Sequence, residues 1–410
     1  MKKVTLNFLR FHCLDRHHCS VEYHDLISDI INRFENENPH IKIESTVLRN
    51  WYQLMYKLKK ELPNENGPDI FHTNGGGELL ELVSAGLVHD LSGDLNDGWR
   101  DQFITASFDP LKFDGKEYAI PLEQGFVFVW YNKSIFDQLN LNKPETFTDL
   151  LYICQTLKSK GITPFSVGNR ERWPGAFFFS HLFQRIGGEE VFVSDFTKAD
   201  NYELIKASFI SAAEKLVQLE EAGAFHKDID YTDYPGQRKM FIDGQAAMQL
   251  NGNRLLGYLR TEGPEIIKDL DIFPFPTVIG GRGKTSHYFG GSLATYGMSS
   301  KSKHKEEAVA FLKCLTNQLA AEDVIFKLGD IPAAKHIQYE KYPSSIHGRI
   351  ASELELAKKI QVHFFKYLPP HAAAVYLNAI AKLITRDIAP EESFKILEDA
   401  LLHHQMNNIM

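Results

Sequence analysis

Two acidic residues, Asp15 and Glu123, are the candidates in the sequence for paired acid–base chemistry. Two carboxylates about 5 Å or about 9 Å apart can hydrolyse a glycosidic bond by a retaining or an inverting route. Nothing in the sequence fixes such a spacing. The motifs G-x-S-x-G and H-E-x-x-H, which mark serine hydrolases and zinc proteases, are absent. We therefore expect no enzyme activity, no catalytic residue and no cofactor.

A cluster of histidine and cysteine residues near the start of the chain carries the side chains that a soft metal prefers. Its members are His12, Cys13, His17, His18 and Cys19. Their spacing matches no standard zinc motif, so we expect no metal site there. Cys154 and Cys314 lie in helical patterns, where cysteine serves as a small apolar core residue. Four scattered cysteines are too few for a disulfide framework.

The letters GRGKT at 281–285 suggest a phosphate-binding loop, in which backbone amides surround phosphate oxygens. That loop requires a glycine five residues before Gly283, and the sequence has Val278 there. It also requires a following helix, whereas the pattern after 285 favours a strand. We therefore interpret the segment as a surface hairpin between Ile279 and Tyr288.

Length, charge and hydropathy exclude other classes of protein. The chain has 410 residues and a net charge of −8, without the basic cluster that a nucleic-acid partner requires. No run of 18 apolar residues occurs, so no transmembrane helix is expected. Asn7, Arg10 and His12 interrupt the apolar centre of any signal peptide, which favours a chain without its signal or lipid-anchor segment. Two domains of about 200 residues each are expected from the length.

The first 80 residues are predicted to alternate between strands and helices. Residues 4–11 alternate apolar and polar side chains as a strand does, and 23–34 carries apolar residues at helical spacing. A strand at 41–44 completes a βαβ unit. A later helix and a short buried strand at 69–72 lead to three glycines at 75–77. These glycines either let backbone amides approach a ligand or form a tight strand-to-helix turn, and the sequence favours neither.

The segment 113–139 is predicted to leave one domain and enter the other. An Asp-Gly pair at 114–115 supplies the positive φ angles of a hairpin turn. Between Pro121 and Gly125 we expect irregular structure, because proline cannot donate a hydrogen bond and glycine has no side chain to pack. A buried strand is expected again at 126–131. Later helices are predicted at 147–160, 175–186, 203–222, 237–243, 304–317, 319–328, 348–366 and 371–385, with strands at 245–250, 270–274 and 289–298.

Four motifs then occur in one order along most of the chain. They are GPDI at 67–70 followed by ELVSAGLVHDL, the crossing that contains YNKSIFDQLNL and PETFTDLL, FIDGQAAMQLNGN at 241–253, and the stretch from FPFPTVIGG to AVAFLKCL at 273–315. Each motif alone is loose. Together they resemble the extracellular solute-binding proteins of sugar ABC transporters, family 1, to which the maltose-binding protein belongs.

The resemblance implies an α/β, two-lobed, periplasmic-binding-protein-like fold. Each lobe would be a β-sheet flanked by helices, and a hinge would join the lobes. Both lobes would be discontinuous, with residues 1–120 plus 270–325 in one and 121–269 plus 326–410 in the other. Such a receptor closes on its ligand as the hinge rotates.

The resemblance also implies that the protein captures a saccharide, expected to be an oligosaccharide, in the cleft and delivers it to the permease subunits of an ABC importer. It would act at the extracellular face of the membrane or in the periplasm. We expect a monomer without a nucleic-acid partner. The alternatives are the same fold with a non-sugar solute, such as a polyamine, a phosphate ester or a chelated metal, and a carbohydrate-acting enzyme.

Sugars have polar rims and apolar faces, so their sites pair aromatic rings with planar polar side chains. On this chemistry and the family pattern we predict ligand-binding residues at strand ends, at the crossings and at the start of a late helix. They are His12, Asp15, Asn50, Trp51, Asn74, Glu78, Glu123, Gln124, Trp173, Asn253, Arg254, Gly290, Gly291, Ser292, His371 and Tyr376. The family has an aromatic residue near Trp173 and near the late helix.

Two of these residues leave alternatives open. Trp173 lies in a polar loop before the helix predicted at 175–186, so its indole either stacks on a ligand or caps the first turn of that helix. Arg254 stands where related maltodextrin receptors have a tryptophan, which weakens the case for maltodextrin and allows an acidic or more polar saccharide. Trp99 and Trp130 are expected in the core.

Overall fold

A computed structural model describes residues 3–11, 21–193, 195–335, 337–338, 342 and 344–409, with the backbone alone at 21, 292, 293 and 407–409. Strands and helices alternate through it in an α/β fold, as predicted. The strands are β1 (Val4–Phe11), β2 (Ile41–Leu48), β3 (Ile70–Thr73), β4 (Lys112–Phe113), β5 (Lys116–Glu117), β6 (Ala119–Asn132), β7 (Thr163–Phe165), β8 (Ala246–Gly252), β9 (Leu270–Phe273), β10 (His287–Met298) and β11 (Lys359–Gln361).

Helices cover both the connections between strands and the last part of the chain. They are α1 (Val21–Glu37), α2 (Trp51–Glu61), α3 (Gly77–Ser84), α4 (Lys133–Gln138), α5 (Phe147–Ser159), α6 (Trp173–Gly187), α7 (Tyr202–Glu221), α8 (Tyr234–Ile242), α9 (Leu255–Glu262), α10 (Lys305–Leu315), α11 (Gln318–Asp323), α12 (Ser345–Glu355), α13 (Pro370–Ile384) and α14 (Pro390–Ile409). A π-helical turn, Val324–Leu328, follows α11. Within the described ranges, no helix has the length and apolar character needed to cross a bilayer.

The chain forms two compact, discontinuous units. Unit 1 consists of Met1–Gly125, Asn253–Thr261 and Gly290–Gln361, and unit 2 consists of Phe126–Gly252, Glu262–Phe289 and Val362–Met410. The predicted boundaries were wrong for four segments, of which 121–125 and 253–261 belong to unit 1 and not to unit 2. Residues 270–289 belong to unit 2, because β9 pairs with the second half of β6. Residues 326–361 belong to unit 1, because the backbone at 331–333 bonds to the first half of β6.

The sheet of unit 1 has the strand order β2-β1-β3-β10. Strand β1 runs parallel to β2 and β3, whereas β10 is antiparallel to β3. Helix α1 connects β1 to β2 and buries the apolar face that its spacing predicted, including Leu26, Ile30 and Phe34. Because parallel strands end at one edge of a sheet, the residues that follow β2 and β3 are neighbours. This edge positions Trp51 and Asn74.

Strand β6 is continuous from Ala119 to Asn132, so the irregular segment predicted between Pro121 and Gly125 is wrong. On the side of 331–333, Gln124 N–H donates to Ile331 O and Leu122 O accepts from Ala333 N–H. These bonds use alternate residues, and a proline at 121 removes neither of them. The predicted hairpin before β6 is confirmed, since Asp114 and Gly115 have φ angles of 49° and 80°.

Unit 2 contains the strand order β6-β8-β7, and β9 also pairs with β6. Aromatic side chains fill its core: Phe179 and Phe209 lie 4.5 Å apart between ring centroids. Trp130 is fully buried there and its Nε1–H donates to Asn251 O at 3.0 Å. Cys154 is a buried core residue as expected. Trp99, the other tryptophan expected in a core, is buried in unit 1.

The segment at 281–285 packs its backbone against the end of α6. Arg282 N–H donates to Ile186 O at 3.0 Å, and Gly283 N–H donates to Arg185 O at 3.1 Å. A Cβ added to Gly281 would lie 2.1 Å from Arg185 O. The glycines therefore permit close backbone contact, which an exposed hairpin does not require.

Gly281→Ala is expected to lower the free energy of unfolding by about 1 to 3 kcal/mol, because the added methyl group meets a backbone carbonyl that cannot rotate away. Gly93→Ala is the matched control, since a Cβ at Gly93 would have no atom of the described residues within 4 Å and the φ of Gly93 is −68°. Chemical denaturation of both variants checks the prediction. Equal stability of the two would contradict the packing role of Gly281.

Candidate functional site

A group of aromatic rings, which we call the aromatic cluster, gathers around the start of α6 in unit 2. Its members are Trp173, Phe177, Tyr234, His363 and Phe365. The Trp173 ring lies 4.9 Å from the Phe177 ring and 5.0 Å from the Tyr234 ring, between centroids. All of these side chains except His363 are partly exposed. The cluster thus combines a packed base with ring surface open to contact.

Local sequence explains how α6 presents this cluster. Trp173 is the first helical residue, so the predicted loop position was wrong, and Phe177 lies four residues later on the same face. The Asn169 side chain accepts from Gly175 N–H at 3.1 Å and donates to Asp230 at 2.9 Å. The bond from Gly175 satisfies a backbone amide in the first turn of α6, which has no partner within the helix. The indole of Trp173 is therefore not needed as a cap for that amide.

His363 forms the buried base of the aromatic cluster. Its ring stacks on Phe177 at 3.7 Å with an interplanar angle of 4°, and on Phe289 at 4.9 Å with an angle of 12°. Neither ring nitrogen has a hydrogen-bond partner among the residues that the structure describes. Burial therefore holds the pKa of His363 well below its usual value, and nearby His181 and Lys366 lower it further.

Acidification is expected to destabilise the protein through His363. The pKa of His363 is lower in the folded state than in the unfolded state, where it is about 6.5. The free energy of unfolding is therefore independent of this group above about pH 6.5 and falls as the pH drops below that value. His363→Phe keeps a flat ring in the stack and should reduce the loss of unfolding free energy between pH 7 and pH 5. His403→Phe, on an exposed position of α14, is the control. Identical pH profiles for wild type and His363→Phe would contradict this assignment.

In unit 1, an arginine lies between two buried carboxylates, and we call these three residues the arginine triad. Arg254 Nη2 donates to Glu123 Oε2 at 2.7 Å, and Arg254 Nε donates to Asp330 Oδ2 at 3.4 Å. Glu123 and Asp330 are buried, whereas the Arg254 side chain is 31% exposed. The guanidinium is thus oriented from within the unit and remains accessible.

Asparagine and backbone groups complete the surroundings of the arginine triad. Asn253 Nδ2 donates to Asp330 Oδ1 at 3.0 Å and to Gln124 O at 3.1 Å. The segment at 331–333 forms backbone hydrogen bonds with Leu122 and Gln124 of β6. These bonds hold Glu123, which lies between those two residues. Four predicted residues, Glu123, Gln124, Asn253 and Arg254, therefore come together, although Asp330 was not predicted.

Burial shifts the acid–base properties of the arginine triad. It raises the pKa of Glu123 to about 7, with Arg254 lowering and Asp330 further raising the value. Burial also raises the pKa of Asp330, and Arg254 opposes that rise. The phenols of Tyr23 and Tyr296, which share a hydrogen bond, interact with Glu123 and have pKa values raised chiefly by burial. One carboxyl of the pair therefore gains or loses its proton close to neutral pH.

A second polar group of unit 1 lies at the carboxyl ends of β2 and β3. Trp51 Nε1 donates to Glu78 Oε1 at 3.1 Å, and Asn74 Nδ2 donates to Glu78 Oε2 at 3.0 Å. The Trp51 ring is held edge-on against Phe11 and His72. Three predicted residues thus form one contact set. Asn50 instead has a structural bond, because its side chain caps α2 by accepting from Gln53 N–H at 3.0 Å.

The glycines at 75–77 have a packing explanation in the structure. A Cβ on Gly75 would lie 2.6 Å from Pro110 O, and Gly76 N–H donates to that same carbonyl at 2.7 Å. Gly76 also has a φ of 74° immediately before α3. Both observations favour the tight-turn interpretation of these glycines.

The remaining predicted residues are dispersed. Gly290 and Gly291 lie in β10, with a φ of 145° at Gly291, while the Ser292 side chain, His12 and Asp15 lie outside the described residues. His371 is exposed in the first turn of α13. Tyr376 is wholly buried against Phe179 and Phe364, so core packing rather than exposed surface accounts for its position.

In the part of the chain that the structure describes, no three His, Cys, Asp or Glu side chains are grouped so that they could hold a metal ion. The five His and Cys residues at 12–19 fall outside that part, and the expectation of no metal at 12–19 stays a prediction.

Residues 22–321 match the family model of the bacterial extracellular solute-binding proteins. The match takes in β6, the crossing predicted at 113–139, and most of the residues described above.

Individual relatives cover most of the chain. The multiple sugar-binding protein of Streptococcus mutans is 24% identical over 319 residues, which are 77% of this chain and 73% of that protein. A solved structure described under xylan utilization by the thermophilic bacterium Caldanaerobius polysaccharolyticus is 30% identical, with a TM-score of 0.78, over 96% of this chain and 99% of that one. A chitin oligosaccharide binding protein shares the fold, with 20% identity and a TM-score of 0.79 over 100% of both chains.

Proposed function

Because the chain belongs to the family of bacterial extracellular solute-binding proteins, we propose that it is the saccharide receptor of an ABC importer. The observation that carries the proposal is the aromatic cluster of unit 2, whose partly exposed rings surround Trp173. The C–H face of a pyranose ring stacks on such surfaces, and a single anchoring aromatic ring can dominate binding energy. An oligosaccharide offers several such faces.

The polar groups of unit 1 support a ligand with many hydroxyl groups. Glu78 accepts from both the indole of Trp51 and the amide of Asn74. A planar carboxylate and a planar amide can each bind neighbouring hydroxyls in pairs. We propose that the Glu78 carboxylate and the Asn74 amide oxygen accept hydrogen bonds from the hydroxyl rim of the sugar, and that the exposed part of Arg254 donates to that rim.

We further propose that the protein returns its saccharide intact. Glu123, with a pKa of about 7, has a value suited to a general acid. However, the carboxylates of Glu123 and Asp330 both bind Arg254. A glycosidase needs its two carboxyl groups on the glycosidic bond itself.

The family and the proposed ligand together suggest a cellular location and a protein partner. We propose an extracellular or periplasmic location and delivery of the sugar to the membrane permease subunits. A monomer is the proposed binding species.

Binding of small saccharides to the purified protein tests the proposed function. The ligand panel consists of xylotriose, chitotriose, maltotriose and raffinose, with spermidine and glycerol phosphate as non-sugar arms. Thermal shift identifies binders, because a ligand stabilises the folded state by RT ln(1 + [L]/Kd), and calorimetry then gives affinities. We expect at least one saccharide to bind and to be recovered uncleaved after incubation. Binding of spermidine or glycerol phosphate alone, or cleavage of a saccharide, would overturn the proposal.

A further inference from the structure

The arginine triad carries an imbalance of formal charge. One guanidinium, that of Arg254, is paired with the two carboxyl groups of Glu123 and Asp330. The set therefore has a net charge of −1 when both carboxyls are ionised and zero when one of them holds a proton. In neither state do the three side chains together carry a net positive charge. Arg254 therefore offers a ligand hydrogen-bond donors without making the site as a whole positive.

A second guanidinium, that of Arg260, lies beside Gly329 and His347, but apart from burial the strongest influence on the pKa of Glu123 and of Asp330 is Arg254. Tyr23 and Tyr296 face Glu123 as neutral phenols, since burial raises their pKa values. His347 Nε2 donates to Gly329 O, next to Asp330, and burial lowers the pKa of His347 to about 4, so it is neutral at physiological pH. Arg10 interacts with the two phenols and hydrogen-bonds to Ser45 and His24.

Asp330 also determines how Arg254 is presented. Its two carboxylate oxygens bind different partners: Oδ1 accepts from Asn253 and Oδ2 accepts from Arg254. Asn253 in turn bonds to Gln124 O on β6. Asp330 thus connects the start of α9 to β6 through buried polar contacts, and this fixes the direction of the guanidinium.

From this geometry we propose that Asp330 is a specificity-determining residue which, with Glu123, makes the Arg254 site accept uncharged saccharides and reject saccharides that bear a carboxylate. The inference rests on the proposed function. It narrows the sequence-based expectation, which allowed an acidic saccharide at Arg254. The physical reason is that a ligand carboxylate near the arginine meets two fixed carboxyl groups behind it, and like charges at close range cost several kcal/mol.

The test compares neutral trisaccharides with carboxylate-bearing counterparts in calorimetric titrations at pH 8. The pairs are xylotriose with glucuronosyl-xylotriose, maltotriose with C6-oxidised maltotriose, and galactotriose with trigalacturonate. For wild type, the neutral member is expected to bind tighter in every pair that binds. Asp330→Asn removes one negative charge, and we expect it to raise the ratio of acidic to neutral affinity by about tenfold or more.

Two further variants separate specificity from folding. Glu123→Gln removes the other carboxylate and is expected to shift the same ratio in the same direction, so the test stands if Asp330→Asn fails to fold. Asp97→Asn, at an exposed carboxylate paired with Lys313, makes the same change in net charge elsewhere and should leave the ratio unchanged. A purely structural role for Asp330 would lower both affinities together and leave the ratio fixed.

Three outcomes would overturn the inference. Wild type could bind an acidic member as tightly as its neutral counterpart, or the foldable variants could leave the ratio unchanged. Either result would leave the proposed saccharide receptor standing. Failure of every saccharide in both sets to bind would instead overturn the proposed function, and this inference with it.

Discussion

Trp173→Ala is expected to weaken saccharide binding by about thirtyfold to thousandfold, which corresponds to the roughly 2 to 4 kcal/mol of an aromatic anchor. The indole is partly exposed and rests on Phe177 and Tyr234, so it is held in place before a ligand arrives. The melting temperature should change little, because Asn169 and not the indole satisfies the Gly175 amide. Calorimetric titration with the tightest saccharide of the panel, together with thermal unfolding, measures both effects.

The control for this prediction is Tyr231→Ala. Tyr231 is an aromatic residue of the same unit whose side chain is 85% exposed, and none of the described ring contacts joins it to the aromatic cluster. Affinity and melting temperature should both stay near wild type. A Trp173→Ala protein that loses about 3 to 5 kcal/mol of stability yet binds normally would show that the indole supports the core, since that is the usual effect of emptying a buried aromatic site. Trp173 would then leave the proposed site.

Features set by neighbouring residues could be predicted from the sequence. The Asp-Gly pair at 114–115 needs positive φ angles whatever surrounds it, and the structure has them. The apolar face of α1 follows from the spacing of Leu26, Ile30 and Phe34, and all three are buried. The resemblance to the solute-binding family, and not a local pattern, implied two discontinuous units, and their bounds differ from those predicted.

Features set by distant residues could not be predicted. Pro121 and Gly125 argue against a strand by local rules, and β6 nevertheless continues through them because 331–333 supplies its hydrogen bonds. That segment is about 200 residues further along the chain, and no local pattern announces the pairing. The same long-range contact explains why 326–361 was assigned to the wrong unit.

The candidate site shows the same division. Trp51, Asn74 and Glu78 lie close in sequence to strand ends and were found, because strand ends position polar side chains in α/β folds. Asp330 and His363 were missed, since their importance comes from burial and from partners elsewhere: Asp330 bonds to Arg254, and His363 stacks on Phe177. The i, i+4 spacing of Trp173 and Phe177 was the available signal for the aromatic cluster, and a helix beginning at 173 rather than 175 was needed to use it.

Arg254→Met is expected to destabilise unit 1 strongly and in a pH-dependent way. It leaves two buried carboxyl groups without their cation, and breaking a buried ion pair on one side costs on the order of 3 kcal/mol. A carboxyl group whose pKa is raised by folding contributes fully to stability only below its unfolded pKa, which is about 4.5 for a glutamate. This contribution is lost as the pH rises through the folded pKa, which is about 7 for Glu123 in the wild type. Removing the cation raises these pKa values further. The cost should therefore be small at pH 5 and largest at pH 8.

Glu123→Gln provides the matched test, because it removes the carboxylate that Arg254 binds at 2.7 Å while keeping the shape of the side chain. In the Arg254→Met background it should recover part of the lost stability at pH 8 and little at pH 5, where Glu123 already holds its proton. A double-mutant cycle by chemical denaturation at both pH values isolates this coupling. If the effects of the two substitutions were additive at pH 8, Arg254 and Glu123 would not be coupled, and the arginine triad could not act as the single unit from which saccharide selectivity is inferred.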